Sequence, residues 1–148
     1  MDHIAANLSE VRQKIEDACR RSGRETGSVE LIAVSKTFPA EAIREAAFCG
    51  QTLFGESRQQ EAEPKIGVLP GSLQWHFIGR LQKNKVRKIL PLFDAVHAMD
   101  SLRLAEYTAG VAEELGLFPK VFLQVNVGGE VSKGGFEPEV LKREMESW

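Results

Sequence analysis

Five short apolar runs recur along the chain at nearly even spacing, each followed by a charged stretch with helical periodicity. They are VELIAVSK (29–36), TLFGES (52–57), LQWHFIG (73–79), AVHAMD (95–100) and KVFLQVNV (120–127), so their starts lie 21 to 25 residues apart. The first run is too continuously apolar and β-branched for a half-exposed strand and reads as a buried parallel one. After it the period changes. Pro39 opens AEAIREAAFCG, which puts Ala42, Ile43, Ala46 and Ala47 on one helical face before Gly50 ends it. Strands alternating with helices at this interval predict consecutive crossovers and a parallel sheet.

Two architectures satisfy that pattern. A doubly wound open sheet is one, but the loop after the first run is S-K-T-F-P, and neither G-x-G-x-x-G nor a Walker A sequence occurs in the chain. A TIM-type (β/α) barrel is the other. Eight units take roughly 250 residues, so 148 residues leave room for five in one domain, 1–148. The end reads as cut short, because Val140, Leu141 and Met145 have only begun a helical face when Trp148 closes the chain. An unclosed sheet has edge strands that need covering, by self-association or by an additional helix. Such a helix is predicted over about 2–23, where Ile4, Leu8, Val11, Ile15 and Ala18 form a stripe.

Composition narrows the partners. With 43% hydrophobic and 27% charged residues the chain can bury a real core, and a net charge of -2 gives no electrostatic reason to expect nucleic acid or an anionic membrane. The N-terminal stretch mixes charge with apolar residues and matches neither a secretory signal nor a membrane span, so the expected location is the cytoplasm. Cys19 and Cys49 suggest two reduced thiols, not a disulfide framework or a metal knuckle.

In a barrel the working surface is the rim at the C-terminal ends of the strands. Here it carries Ser35 and Lys36, Glu56 and Ser57, His76 and Gly79, Asp100, and Gln124 and Asn126. Lys36 is the most informative. An amine closing a buried strand is in surroundings that favour its neutral form, and a neutral amine attacks carbonyl carbon; the alternative is a lysine that snorkels to solvent. Glu56 and Ser57 suit a polar ligand or the ordering of the next loop. The cations of GRLQKNK near a helix N-terminus invite a functional or inter-element explanation, although a solvated face is the common outcome. His76 and His97 lack metal-ligand spacing, and His97 reads as a hydrogen-bonded core histidine. The loop within 124–136 has four glycines and Lys133, so it can approach a ligand closely or simply move.

Taken in order, AVSKTFP (33–39), FGESRQQE (54–61), WHFIGRLQKNK (75–85), VHAMDS (96–101) and QVNVGGEVSKGGF (124–136) make the chain resemble the N-terminal portion of the pyridoxal 5'-phosphate (PLP) homeostasis protein family. The resemblance implies a barrel like the N-terminal domain of alanine racemase, the type III fold of PLP proteins. It implies that Lys36 holds PLP as a reversible Schiff base, with Ser57, His76 and Asn126 as further cofactor contacts. Ser57 stands where the family usually has Asn, so its shorter side chain implies a weaker contact. Family members are longer, and their remaining strands hold the phosphate, which leaves this chain an aldehyde-binding lysine without its phosphate anchor and makes its PLP occupancy doubtful. The implied role is vitamin B6 and amino-acid homeostasis without an established reaction, with PLP and PLP-dependent apoenzymes as partners. A racemase-like enzyme is one alternative, but racemases of this fold use a tyrosine from another domain, and Tyr107 lies in a predicted helix. A non-binding or self-associating fragment is the other.

Overall fold

The computed structural model describes residues 2–146. Its elements are α1 (Asp2–Ser22), β1 (Ala33–Val34), α2 (Ala40–Phe48), β2 (Leu53–Glu56), α3 (Gln59–Val68), β3 (Gln74–Phe77), α4 (Val86–Ile89), β4 (Ala95–Met99), α5 (Leu102–Leu115), β5 (Lys120–Leu123) and α6 (Pro138–Met145). A 3-10 turn at Lys83–Lys85 leads into α4. The strands form one parallel sheet in the order β1-β2-β3-β4-β5. A doubly wound sheet reverses its strand order at a switch point. This one never reverses, which is the winding of a (β/α) barrel with five of eight units present.

The two faces of the sheet differ. Register pairs Ala33 with Phe54, Phe54 with Trp75, Glu56 with Phe77 and Phe77 with Val96. The apolar members of that set pack with Ile43 and Ala46 of α2, Ala62 of α3, Val86 and Ile89 of α4, and Leu104, Val111 and Ala112 of α5 in one core. Burying a side chain such as Phe54, Ile43 or Ile89 stabilises the fold by about 1.5–3 kcal/mol. Alternation sends Val34, Gly55, His76 and His97 to the opposite face, where Phe122 meets the histidines. Val34 is 49% exposed and Phe122 52%. That face is open.

Several sequence expectations are corrected. Only Ala33–Val34 of run 29–36 is strand; ahead of it Leu31 O accepts the Gln51 side-chain amide at 2.7 Å in place of a ladder partner, and the same amide donates to Leu53 O at 2.7 Å. Lys36, expected at a buried strand end, is exposed in the turn that follows β1. Run 120–127 ends as strand at Leu123, and Val125 bridges Phe136 of its own loop. Ala18 leaves the α1 stripe and is exposed, while Cys19, one helical turn beyond Ile15, is buried. Arg12 occupies the stripe as well, donating to Cys49 O at 2.9 Å and Gln51 Oε1 at 3.1 Å. Through these contacts α1 lies on the β1–α2 side of the sheet, and neither cysteine is in a disulfide.

Candidate functional site

The end of β1 is tied to the end of β2. Ser35 N–H donates to Gly55 O at 3.0 Å, extending the ladder one residue, and Ser35 Oγ donates to Glu56 Oε1 at 2.8 Å. Phe38 N–H returns to Ser35 O at 3.1 Å and closes a four-residue turn. Within it Thr37 has φ +68°. A β-branched residue in the left-handed region costs about 1–2 kcal/mol and needs fixing from outside the turn. The fixing group is Glu61 of α3, whose Oε1 accepts the Thr37 N–H. Lys36 sits between these two anchored residues, and strand alternation continued from Val34 gives it the open face.

Behind the turn lies a buried ion cluster. Lys65 Nζ donates to Ser35 O at 3.0 Å, Glu56 Oε1 at 2.8 Å and Glu61 Oε1 at 2.8 Å, which occupies all three ammonium hydrogens. The Lys65 side chain is 10% exposed and that of Glu56 fully buried. Burial alone would lower the Lys65 pKa, but hydrogen bonds to Glu56 and Glu61, and then their charges, outweigh it and hold the ammonium above the ordinary lysine range. The Lys65 hydrogen bond, followed by that from the Thr37 amide, holds the Glu61 carboxyl below the usual carboxylate range. Glu56 Oε2 is buried without a hydrogen-bond partner, so the whole pull on that carboxylate goes through Oε1.

On the open face, His76 Nδ1 and His97 Nε2 are 2.9 Å apart. One ring donates and the other accepts, so the pair cannot keep this bond with both rings protonated. Burial pushes His76 down, against the opposing pull of the Asp94 and Glu30 carboxylates; burial and then the His76 charge push His97 down. Phe122 stacks on His97 with ring centres 4.4 Å apart. The hydrogen bond expected of His97 is present, but the ring is half-buried beside the open face, not deep in the core.

The other rim residues are held for different reasons. Ser57 follows β2, and its backbone lies against Gly79: a Cβ on Gly79 would come within 2.2 Å of Ser57 O. Close approach there requires glycine. Asn126 folds its own loop, donating from Nδ2 to Glu130 O at 2.8 Å and Lys133 O at 3.1 Å while Oδ1 accepts the Gly129 N–H at 3.2 Å. Glu56, which suited either a ligand or loop ordering, turns its carboxylate to Ser35 and Lys65. Lys83, from the basic segment, places its ammonium 4.9 Å from the centre of the Tyr107 ring on α5, an inter-element contact. Lys36 and His76 therefore share the open face, whereas the Asn126 amide is engaged within its loop. Lys65 and Glu61 carry no sequence signal beyond their i,i+4 spacing, which usually marks a surface pair. Among the described residues no group of three or more His, Cys, Asp or Glu could hold a metal ion.

The chain is similar to known proteins in sequence and in fold. The chain is 43% identical over 140 residues to the pyridoxal phosphate homeostasis protein of Aquifex aeolicus, covering 94% of this chain and 61% of that protein. It is 45% identical over 145 residues to the pyridoxal phosphate homeostasis protein of Pseudomonas aeruginosa, covering 95% of this chain and 62% of that one. The chain is a homologue of the pyridoxal phosphate homeostasis proteins. It spans about three-fifths of the length of these relatives. Among solved structures it resembles PipY of Synechococcus elongatus, a COG0325 family member, at 42% identity over 97% of this chain and 63% of that one, with a TM-score of 0.84 without PLP and 0.80 with PLP bound. Alanine racemase from Streptomyces coelicolor, 22% identical, covers 95% of this chain and 39% of its own with a TM-score of 0.62, and shows the shared fold alone. No protein-family model matches the chain.

Proposed function

We propose that this chain supplies the lysine-bearing part of a PLP-binding homeostasis protein and that Lys36 is the residue that holds the cofactor. The observation that carries this reading is an exposed primary amine on a turn anchored on both sides, at the end of β1 and on the open face of the sheet. When bound, PLP supplies an aldehyde that a lysine can capture reversibly and a ring able to draw electrons from an attached amine. Lys36 would hold the aldehyde end of the cofactor through its amine. His76, beside His97 and Phe122, offers a polar and aromatic surface on the same face. Ser57 would contribute at the neighbouring strand end, and Asn126 through the loop it folds. In barrels of this kind phosphate is held after strands 7 and 8, beyond the five strands here. The chain's own residues therefore fit the aldehyde end of the cofactor.

The curated relatives are named for homeostasis and not for a reaction. Tyr107, the single tyrosine of the chain, stands on α5 in the helical layer beneath the Lys83 ammonium. A carrier or regulator that supplies PLP to apoenzymes in the cytoplasm is accordingly favoured over a racemase. Among the described residues no helix is long and apolar enough to cross a membrane.

Incubation with PLP, borohydride reduction and peptide mapping test the assignment. The fixed label should fall on the peptide containing Lys36 and vanish in Lys36→Ala. A wild-type chain labelled only on other lysines would sink it.

A further inference from the structure

We infer that Glu61 and Lys65, together with Glu56, form a positioning device for Lys36. The inference rests on the reading of Lys36 as the aldehyde-binding residue. Its basis is where the cluster's bonds end. Lys65 Nζ holds Ser35 O at 3.0 Å and Glu56 Oε1 holds Ser35 Oγ at 2.8 Å, so the residue before Lys36 is gripped at backbone and side chain. Glu61 Oε1 holds the Thr37 N–H, so the residue after Lys36 is gripped as well. One ammonium links both carboxylates and therefore both grips.

Stability is a poor explanation for such a cluster, because well-packed apolar side chains can often replace a buried ion network without loss. Direction is what charges supply and apolar groups do not. Thr37 at φ +68° would relax if released, and the turn would then lose the conformation that aims the Lys36 stem. A lysine has four rotatable bonds to its amine, so fixing the backbone beneath it removes part of the search for the carbonyl carbon. None of the three side chains needs to touch the cofactor. They act through the turn.

Replacing Lys65 or Glu56 would leave a buried charge unpaired and endanger the fold, so Glu61, 28% exposed in its side chain, is the residue to change. Wild type, Glu61→Ala and Glu61→Gln are compared in the full chain, after circular dichroism has shown that each is folded. The first readout is the PLP concentration that half-labels Lys36 on borohydride reduction, with the Lys83 peptide as internal reference. The second is amide hydrogen exchange at Thr37 without cofactor. In Glu61→Ala, which removes the acceptor of both the Thr37 N–H and one Lys65 hydrogen, the Lys36 midpoint should rise about tenfold or more and Thr37 exchange by a similar factor, the scale of losing a hydrogen bond to a charged acceptor, with Lys83 labelling unchanged. Glu61→Gln keeps an oxygen for the Thr37 N–H and should recover most of both. A folded Glu61→Ala chain with a wild-type Lys36 midpoint overturns the inference, and so does unchanged Thr37 exchange. If wild type carries no label on Lys36, the assignment of Lys36 fails by itself, and Thr37 exchange still decides whether Glu61 anchors the turn.

Discussion

Two polar groupings are built into the sheet, and they are stabilised in opposite ways. The cluster behind β1 and β2 is charged, enclosed on the helix-packed side, and joined by one ammonium that makes three hydrogen bonds. The histidine pair on the open face relies on a single nitrogen-to-nitrogen bond and a stacked phenylalanine, and burial pushes both rings toward the neutral form. Enclosure is tolerable for a charge only when its partners are in place, whereas a neutral ring needs little more than a donor, an acceptor and a packing surface. The first grouping therefore ties the ends of β1 and β2 together, and the second leaves its rings half-buried on the sheet face.

The largest expected effect follows from unpairing the cluster. Lys65→Met should destabilise the chain by about 3–5 kcal/mol in urea unfolding, because Glu56 would remain buried without its counter-charge. Adding Glu56→Gln should recover a good part of that loss. A loss below about 1 kcal/mol for Lys65→Met would mean that the two regions do not differ in the way described.

A smaller effect should come from the histidines. Their folded pKa values lie below the ordinary value of 6.5, so the unfolded chain takes up protons before the folded one does. Their contribution is fully present above about pH 6.5 and is lost as the pH falls through the depressed folded values. The thermal midpoint should drop more between pH 7.5 and 5.5 for wild type than for the His76→Asn/His97→Gln chain. Equal drops would remove the pair from any pH response.

The smallest effect is expected at Thr37. Glycine relieves the left-handed strain but adds freedom to the unfolded chain, so Thr37→Gly should move stability by no more than about 1 kcal/mol. A loss above 2 kcal/mol would show that the threonine side chain, and not the Glu61 grip on its amide, holds the turn.

Much of the fold was legible because it depends on spacing. Ala42, Ile43, Ala46 and Ala47 occupy the inner side of α2 as their period requires, with Ile43 and Ala46 buried. The five strands fall within the five apolar runs. Strand ends were less legible because side chains decide them: Gln51 takes the place of ladder bonds at Leu31, and the Asn126 loop turns back on β5 through Phe136. The site divides similarly. Lys36 stood out as a lysine closing an apolar run, yet its exposure and its anchored turn depend on Glu61 and Lys65, 25 and 29 residues further along.

From the sequence alone came the repeating β/α unit, the rim positions and Lys36 as the candidate amine, since hydrophobic period and residue chemistry are local properties. Only the tertiary structure decided that the strands run in unbroken order, which separates barrel winding from a doubly wound sheet. It also decided that Lys65 is an enclosed cation and not a surface one, and that His76 meets His97. The physical reason is the same in each case: strand order, desolvation and side-chain contact are set by elements that parallel crossovers bring together from distant parts of the chain.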